Sequence, residues 1–146
     1  MPRIVFELPA HFSFSTEMQI YISHVNQGGH LDNAQLLSLV SEARVRFFQS
    51  LGYSEADVGD LSIVVGDIVA QYKSEGFHGE TMQVAMVADD FNRYGFDLVF
   101  CMTEKSGGRE VARGKIGIVF IGKHTRKVAP VPNAILRLLQ QAAPAG

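Results

Sequence analysis

Residues 32–51 carry Ala34, Leu36, Leu37, Leu39, Val40, Ala43, Phe47, Phe48 and Leu51 at helical spacing, and these cover more than one face of the wheel. A rod of about five turns with so much apolar surface has to be largely enclosed. The rest of the chain must therefore supply a cover. Asp32 or Asn33 suits its start, because a short side-chain oxygen accepts from the free amides of a first turn, and Gly52 suits its end.

The cover is written in the second half. Residues 61–73, 81–89, 93–103 and 110–121 are rich in Val, Ile, Phe and Tyr and are separated by turn residues, the pattern of four strands. Ser106, Gly107 and Gly108 give the permissive backbone of one hairpin turn and residues 89–92 give another, so the strands read as an antiparallel meander. Phe12, Phe14, Met18, Ile20 and Ile22 predict a first strand over residues 12–23, ended by Gly28 and Gly29. Pro130 and Pro132 close the sheet region, and Ile135, Leu136, Leu138 and Leu139 predict a short amphipathic helix or tail over 133–146. The expected fold is α+β, an antiparallel sheet of about five strands wrapped around one long central helix. That is the topology of the hot-dog fold. With 146 residues, 47% of them hydrophobic, and no linker, residues 1–146 fit a single such domain.

A formal net charge of -2 offers no broad basic face to displace phosphate counterions, which argues against nucleic acid as a partner. The one dense basic cluster is Lys123, His124, Arg126 and Lys127. No apolar run approaches the roughly 20 residues of a spanning helix, so membrane insertion is not expected. The single cysteine, Cys101, excludes an internal disulfide and suits a reducing, cytoplasmic compartment. It reads as a small buried hydrophobe without a basic neighbour. His24, His30 and Asp32 match no recognised metal-ligand spacing, and neither metal nor redox cofactor is expected.

The chemistry gathers at residues 24–33, His-Val-Asn-Gln-Gly-Gly-His-Leu-Asp-Asn, a polar glycine-hinged turn running into the long helix. A helix start presents unpaired N–H groups and a positive dipole end. Amides from Gly29 to Asn33 are therefore candidates for holding a developing oxyanion, and imidazole, which titrates near neutrality, is a candidate proton acceptor. Thioester hydrolysis needs such a set: a water, a base, and donors where the tetrahedral oxyanion forms.

The string from Asn26 to Ala34, with Glu42-Ala43-Arg44 and Leu51-Gly52 after it, resembles the signature of the acyl-CoA thioesterases related to 4-hydroxybenzoyl-CoA thioesterase. Tyr72-Lys73-Ser74-Glu75, Gly79-Glu80, Ala112-Arg113-Gly114, Phe120 and Arg126-Lys127 resemble later landmarks of the same superfamily. The similarity runs from about Phe14 to Pro132. It implies an acyl-CoA substrate with a fatty or aromatic acyl group, and a homodimer or homotetramer with sites at the subunit junction. In that family a carboxylate stands where this chain has Asn26. An amide neither accepts a proton at neutral pH nor forms an acyl anhydride, so the carboxylate mechanism does not carry over. The plant acyl-carrier-protein thioesterases offer a nearer parallel in an Asn-x-His pairing. It implies that Asn26 orients the water or the thioester carbonyl while His30 takes the proton.

Each candidate has a plainer reading. Asp32 is an N-cap. Glu42 lies about 13 Å down the helix from Asn33 and suits an i,i+4 ion pair with Arg46, or catalysis only across a subunit boundary. His24 reads as a surface group, and His30 as a capping or packing residue. Lys123, Arg126 and Lys127 suit the phosphates of coenzyme A if they rim the pocket, and are otherwise a solvated loop. Asn26 in place of an acid also motivates an alternative function, a non-catalytic acyl-CoA-binding or regulatory protein. A hydratase on this fold would want a His and a carboxylate facing each other, a pair the sequence does not locate.

Overall fold

The structure is a computed structural model that describes residues 3–141. Strand β1 (Phe14–Gln19) leads through a 3-10 turn (Ile22–His24) to helix α1 (Asn33–Ser50). Strands β2 (Leu61–Tyr72), β3 (Thr81–Asn92), β4 (Gly95–Glu104) and β5 (Glu110–Gly122) follow, and helix α2 (Asn133–Gln141) closes the described chain. Residues 142–146 of the expected C-terminal helix or tail lie outside the described residues. No described helix is long and apolar enough to cross a membrane.

The five strands form one antiparallel sheet in the order β1-β3-β4-β5-β2, with α1 packed on it, the α+β hot-dog arrangement. Only β3, β4 and β5 form a meander. The expected four-strand meander fails at β2, which crosses to the far edge and pairs with β5 from Leu61↔Gly122 to Tyr72↔Ala112. Its partner is chosen by the ladder rather than by a turn, because the long β2–β3 connection is free to cross the sheet end. Both β1 and β2 are thus edges.

The first strand is shorter than expected and stops at Gln19, since the His24 imidazole accepts the Tyr21 N–H at 2.9 Å and turns the chain there, before the glycines. The expected turn at residues 89–92 also moves. Strand β3 continues to Asn92 through an irregular register after Asp89, and the reversal falls between Asn92 and Gly95.

Leu36, Leu39, Val40, Ala43, Phe47 and Phe48 of α1 are buried with Val84, Met86, Leu98, Phe100, Met102, Ile116 and Phe120 of the sheet. Phe47 meets Phe14 and Phe48 edge-on, at 5.8 and 5.5 Å between centroids. Burying each such side chain contributes roughly 1.5–3 kcal/mol. Enclosure is one-sided, however: Ala34, Ser38 and Glu42 remain exposed and Leu37 half-buried on the opposite face of α1. Helix α2 buries Ile135 and Leu139 as its apolar spacing predicts.

Candidate active site

Asn26 and His30 close a small loop at the start of α1. The Asn26 N–H donates to the His30 carbonyl at 3.0 Å, and the Gly29 N–H to the Asn26 carbonyl at 3.1 Å. Gly29 takes φ +86°, a conformation that side chains rarely adopt. Inside the loop, Asn26 Oδ1 accepts the Gly28 N–H at 2.9 Å and the His30 N–H at 3.4 Å. With the amide oxygen so occupied, Nδ2 is the atom facing His30 Nδ1 at 3.4 Å. The network thereby assigns the tautomer: Nδ1 accepts, and the proton of the neutral ring sits on Nε2.

His30 Nε2 faces Glu75 Oε1 at 3.7 Å. That is too long for a direct hydrogen bond, and it is a separation at which one small oxygen species can touch both groups. Glu75 is held there by the β2–β3 connection. Leu31 N–H donates to the Gly76 carbonyl at 2.8 Å, and His30 and Phe77 form an antiparallel bridge. At Gly76 a Cβ would lie 2.8 Å from Ile20 Cδ1, so the missing side chain permits the close approach. His30, Asn33, Tyr72, Lys73, Ser74 and Glu75 line the resulting half-open pocket of about 280 Å³.

Most backbone donors of the turn are already taken. Gly29 and His30 donate to Asn26, Leu31 to Gly76, and Asp32 to the His24 carbonyl at 2.9 Å. The Asp32 carboxylate accepts the Ala34 and Gln35 N–H groups at 2.9 and 3.3 Å. Of the amides expected to hold an oxyanion, only that of Asn33 has no acceptor among the described residues. A half-buried loop satisfies its own polar backbone, and this one does so at the expense of the expected donor cluster. Gly29 is a turn former and Asp32 an N-cap.

Glu42 is elsewhere. Arg46 Nε donates to it at 2.8 Å while Arg46 Nη1 holds Thr16 and Glu17, and Glu42 lines a separate pocket with His24 and Ser38. His24 stacks on Tyr21 at 5.5 Å. Lys123, Arg126 and Lys127 lie at the opposite end of the β2–β5 ladder from the pocket. The 12 residues of β2 span roughly 36 Å, so within one chain these cations do not rim the His30 pocket. Burial, then the hydrogen bond to Glu110, pushes the Cys101 thiol up to about 11, as suits an inert cysteine.

The residue that sequence reasoning missed is Glu75. It stood in the quoted Tyr72-Lys73-Ser74-Glu75 run, but nothing in periodicity or spacing brings the end of β2 to the start of α1; a crossover does. With it, the structure supplies the facing His and carboxylate that the sequence left unlocated.

The profile of the Thioesterase-like superfamily matches residues 21–139. A search of curated protein sequences gives no match. Among solved structures, a Staphylococcus aureus protein in complex with CoA is 17% identical with a TM-score of 0.81, covering 97% of this chain and 92% of its own. A 1,4-dihydroxy-2-naphthoyl-CoA thioesterase from Synechocystis is 20% identical with a TM-score of 0.79, covering 87% and 95%. A DHNA-CoA thioesterase from Staphylococcus aureus is 17% identical with a TM-score of 0.77, covering 87% and 88%. At these identities the likeness is one of fold. The profile match spans most of the sequence, and the chain belongs to the thioesterase-like superfamily.

Proposed function

We propose that this protein hydrolyses an acyl-CoA, with a fatty or aromatic acyl group, to the free acid and CoA at the pocket between the start of α1 and the β2–β3 connection. The observation that carries the reading is the facing pair His30 Nε2 and Glu75 Oε1 at 3.7 Å, in a pocket also lined by Asn33, whose N–H has no acceptor among the described residues. Family membership, the two CoA thioesterases of the same fold and the protein of that fold in complex with CoA support it.

Glu75, a solvated carboxylate, takes the proton of a water lying between it and the imidazole. The water oxygen bonds to the thioester carbonyl carbon, and the carbonyl electron pair moves onto oxygen. Asn33 N–H, at the positive end of α1, and the Nε2–H of His30 donate to that oxyanion; one such donor contributes about 3 kcal/mol to barrier lowering. Collapse breaks the C–S bond, and the departing thiolate recovers the proton from Glu75. Asn26 acts on His30, fixing its ring and tautomer. His30 is in this reading a donor, and the acid missing at Asn26 is supplied by Glu75.

Strand β2 is a long edge with Val64, Val65 and Ile68 exposed, which suits self-pairing into a homodimer, with a homotetramer as its further assembly. Purified protein should release free thiol from at least one member of a panel of saturated, aromatic and enoyl-CoA thioesters. Release no faster than from a Glu75→Gln variant, across the panel, would sink the proposal. Saturable acyl-CoA binding without release would select the non-catalytic binder, the reading favoured by Asn26 and the occupied amides. Consumption of the enoyl substrate without thiol would select hydration.

A further inference from the structure

The side chain of Glu75, the carboxylate that faces His30, is 60% exposed and makes no hydrogen bond among the described residues. Its aim is therefore set by the backbone of the β2–β3 connection, residues 73–80. Main-chain bonds fix both ends of that connection: Lys73 N–H donates to the Val111 carbonyl at 2.8 Å, and Gly79 N–H to the Ile20 carbonyl at 2.9 Å. Between them lies Phe77, the residue that bridges His30. Phe77 N–H donates to Glu80 Oε1 at 2.8 Å, and Glu80 N–H donates to the Phe77 carbonyl at 3.1 Å. A carboxylate that closes its own loop in this way fixes the loop's width.

The same Oε1 is held from outside by Arg109, on the hairpin just before β5. Arg109 Nη2 donates to it at 2.7 Å, and the guanidinium carbon lies 5.8 Å from the centre of the Phe77 ring. The hairpin is a firm base. Glu104 accepts the Ser106 and Gly107 N–H groups at 2.6 and 2.9 Å, and its own N–H donates to the Arg109 carbonyl at 2.8 Å. Arg109 adds little to folding, because its ion pair with Glu80 is partly exposed and its Nε is buried without a partner among the described residues. What it does for the loop is geometric. The bond from Leu31 N–H to the Gly76 carbonyl ties the connection to the start of α1, and the Glu80–Arg109 pair ties it to the sheet.

We infer that Arg109 and Glu80 are positioning residues, which through Phe77 hold the connection where His30 Nε2 and Glu75 Oε1 stand 3.7 Å apart. Their part in turnover rests on the hydrolytic reading above. A water shared by both groups needs that separation, and a misplacement of about 1 Å costs on the order of 10²-fold in rate. Neither residue lines the pocket, so loosening them changes turnover and leaves substrate affinity alone.

Arg109→Met keeps the stem and removes the donors. It should lower kcat for thiol release about ten- to thirtyfold, with KM within about twofold and the urea midpoint little moved. Amide exchange at Leu31, followed by NMR, should accelerate roughly tenfold, and equally so in a Glu75→Gln background. That measurement needs no turnover. Wild-type protein that releases no thiol would end the hydrolytic reading, while Leu31 exchange would still decide whether Arg109 holds the connection. Glu80 supplies a second arm should Arg109→Met not fold. Glu80→Gln keeps an acceptor oxygen at the same reach and should lose about threefold in kcat at most, whereas Glu80→Asp, one methylene shorter, should lose at least about tenfold. The reverse order would make charge rather than reach the requirement and overturns the assignment. So does an Arg109→Met protein whose kcat and Leu31 exchange match wild type, one whose loss falls in KM, or one whose midpoint drops while the folded fraction turns over normally. Arg109→Met combined with Glu80→Asp should slow kcat no more than the worse single variant, since both act on one loop; multiplied losses overturn the shared role.

Discussion

The two ends of the β2–β5 ladder differ in how they treat their polar groups. At the Tyr72 end most donors are consumed within the chain: Asn26 ties up the loop, Asp32 caps α1, and Arg113 and Arg109 bind Glu110 and Glu80 at 2.7 Å each, with Arg109 Nε alone buried there without a partner among the described residues. At the Leu61 end the buried Ser62 hydroxyl and Arg126, at positive φ, have no side-chain partners among the described residues. Satisfaction fixes geometry, and incompleteness leaves capacity to bind. A site that must orient a reacting atom needs the fixed geometry of the first end.

The largest effect that could break this contrast is at Glu75. If the ordered end performs the chemistry, Glu75→Gln should lower kcat for thiol release about 10²–10⁴-fold with the fold intact by circular dichroism. Retained turnover would reduce the pocket to a binding groove. Next in size is Asn26→Ala, which strips two loop N–H groups of their acceptor and should cost about 1–3 kcal/mol in urea unfolding. Asn26→Asp should keep that stability. A carboxylate facing His30 Nδ1 draws the imidazole proton from Nε2 to Nδ1, visible in ring ¹⁵N shifts. An unmoved proton would show that Asn26 does not set the tautomer.

Why some of this was legible beforehand, and some not, follows from where each signal resides. The helix, its Asp32 cap and the strand segments rest on local periodicity, and Leu36, Leu39, Val40, Ala43, Phe47 and Phe48 did form the buried face of α1. The outward face of α1 was misjudged because a sequence does not say which apolar residues a single chain leaves open. Strand order depends on a crossover, and with it the approach of Glu75 to His30 and the removal of Lys123, Arg126 and Lys127 to the far corner. Gly29 forms the turn, and Asp32 holds the N-cap position expected of it. Their amides are spent on Asn26 and His24, a matter of loop closure that no spacing reveals.

Asp32 gives the next smaller test. If its carboxylate is a cap and not a reacting group, Asp32→Ala should cost about 1 kcal/mol of stability, within 0.5–2. Hydrolysis should then fall less than tenfold. A loss comparable to that of Glu75→Gln would return Asp32 to the chemistry.

The smallest effects come from titration, and they too should fall at the ordered end. Arg113 holds the Glu110 carboxyl below its ordinary range, and the hydrogen bonds of Ser106 do the same for Glu104. Each carboxylate stabilises the fold above the unfolded value of 4.5, and that contribution disappears as pH falls through the depressed folded value. Urea midpoints measured from pH 6 downward should therefore drop, and drop less steeply in Glu110→Gln. On the alkaline side Cys101 has the opposite sign. Burial and Glu110 raise its thiol from 9.0 to about 11, so the stability it adds is complete below pH 9 and is lost as pH climbs toward 11. At pH 8 the native thiol is then almost wholly protonated. Ellman's reagent should modify it far more slowly than in the urea-unfolded chain, with Glu110→Gln moderately accelerating the native reaction. Native reactivity equal to the unfolded rate would place Cys101 in an open setting and loosen the Glu110–Arg113 pairing on which the order of this end partly rests.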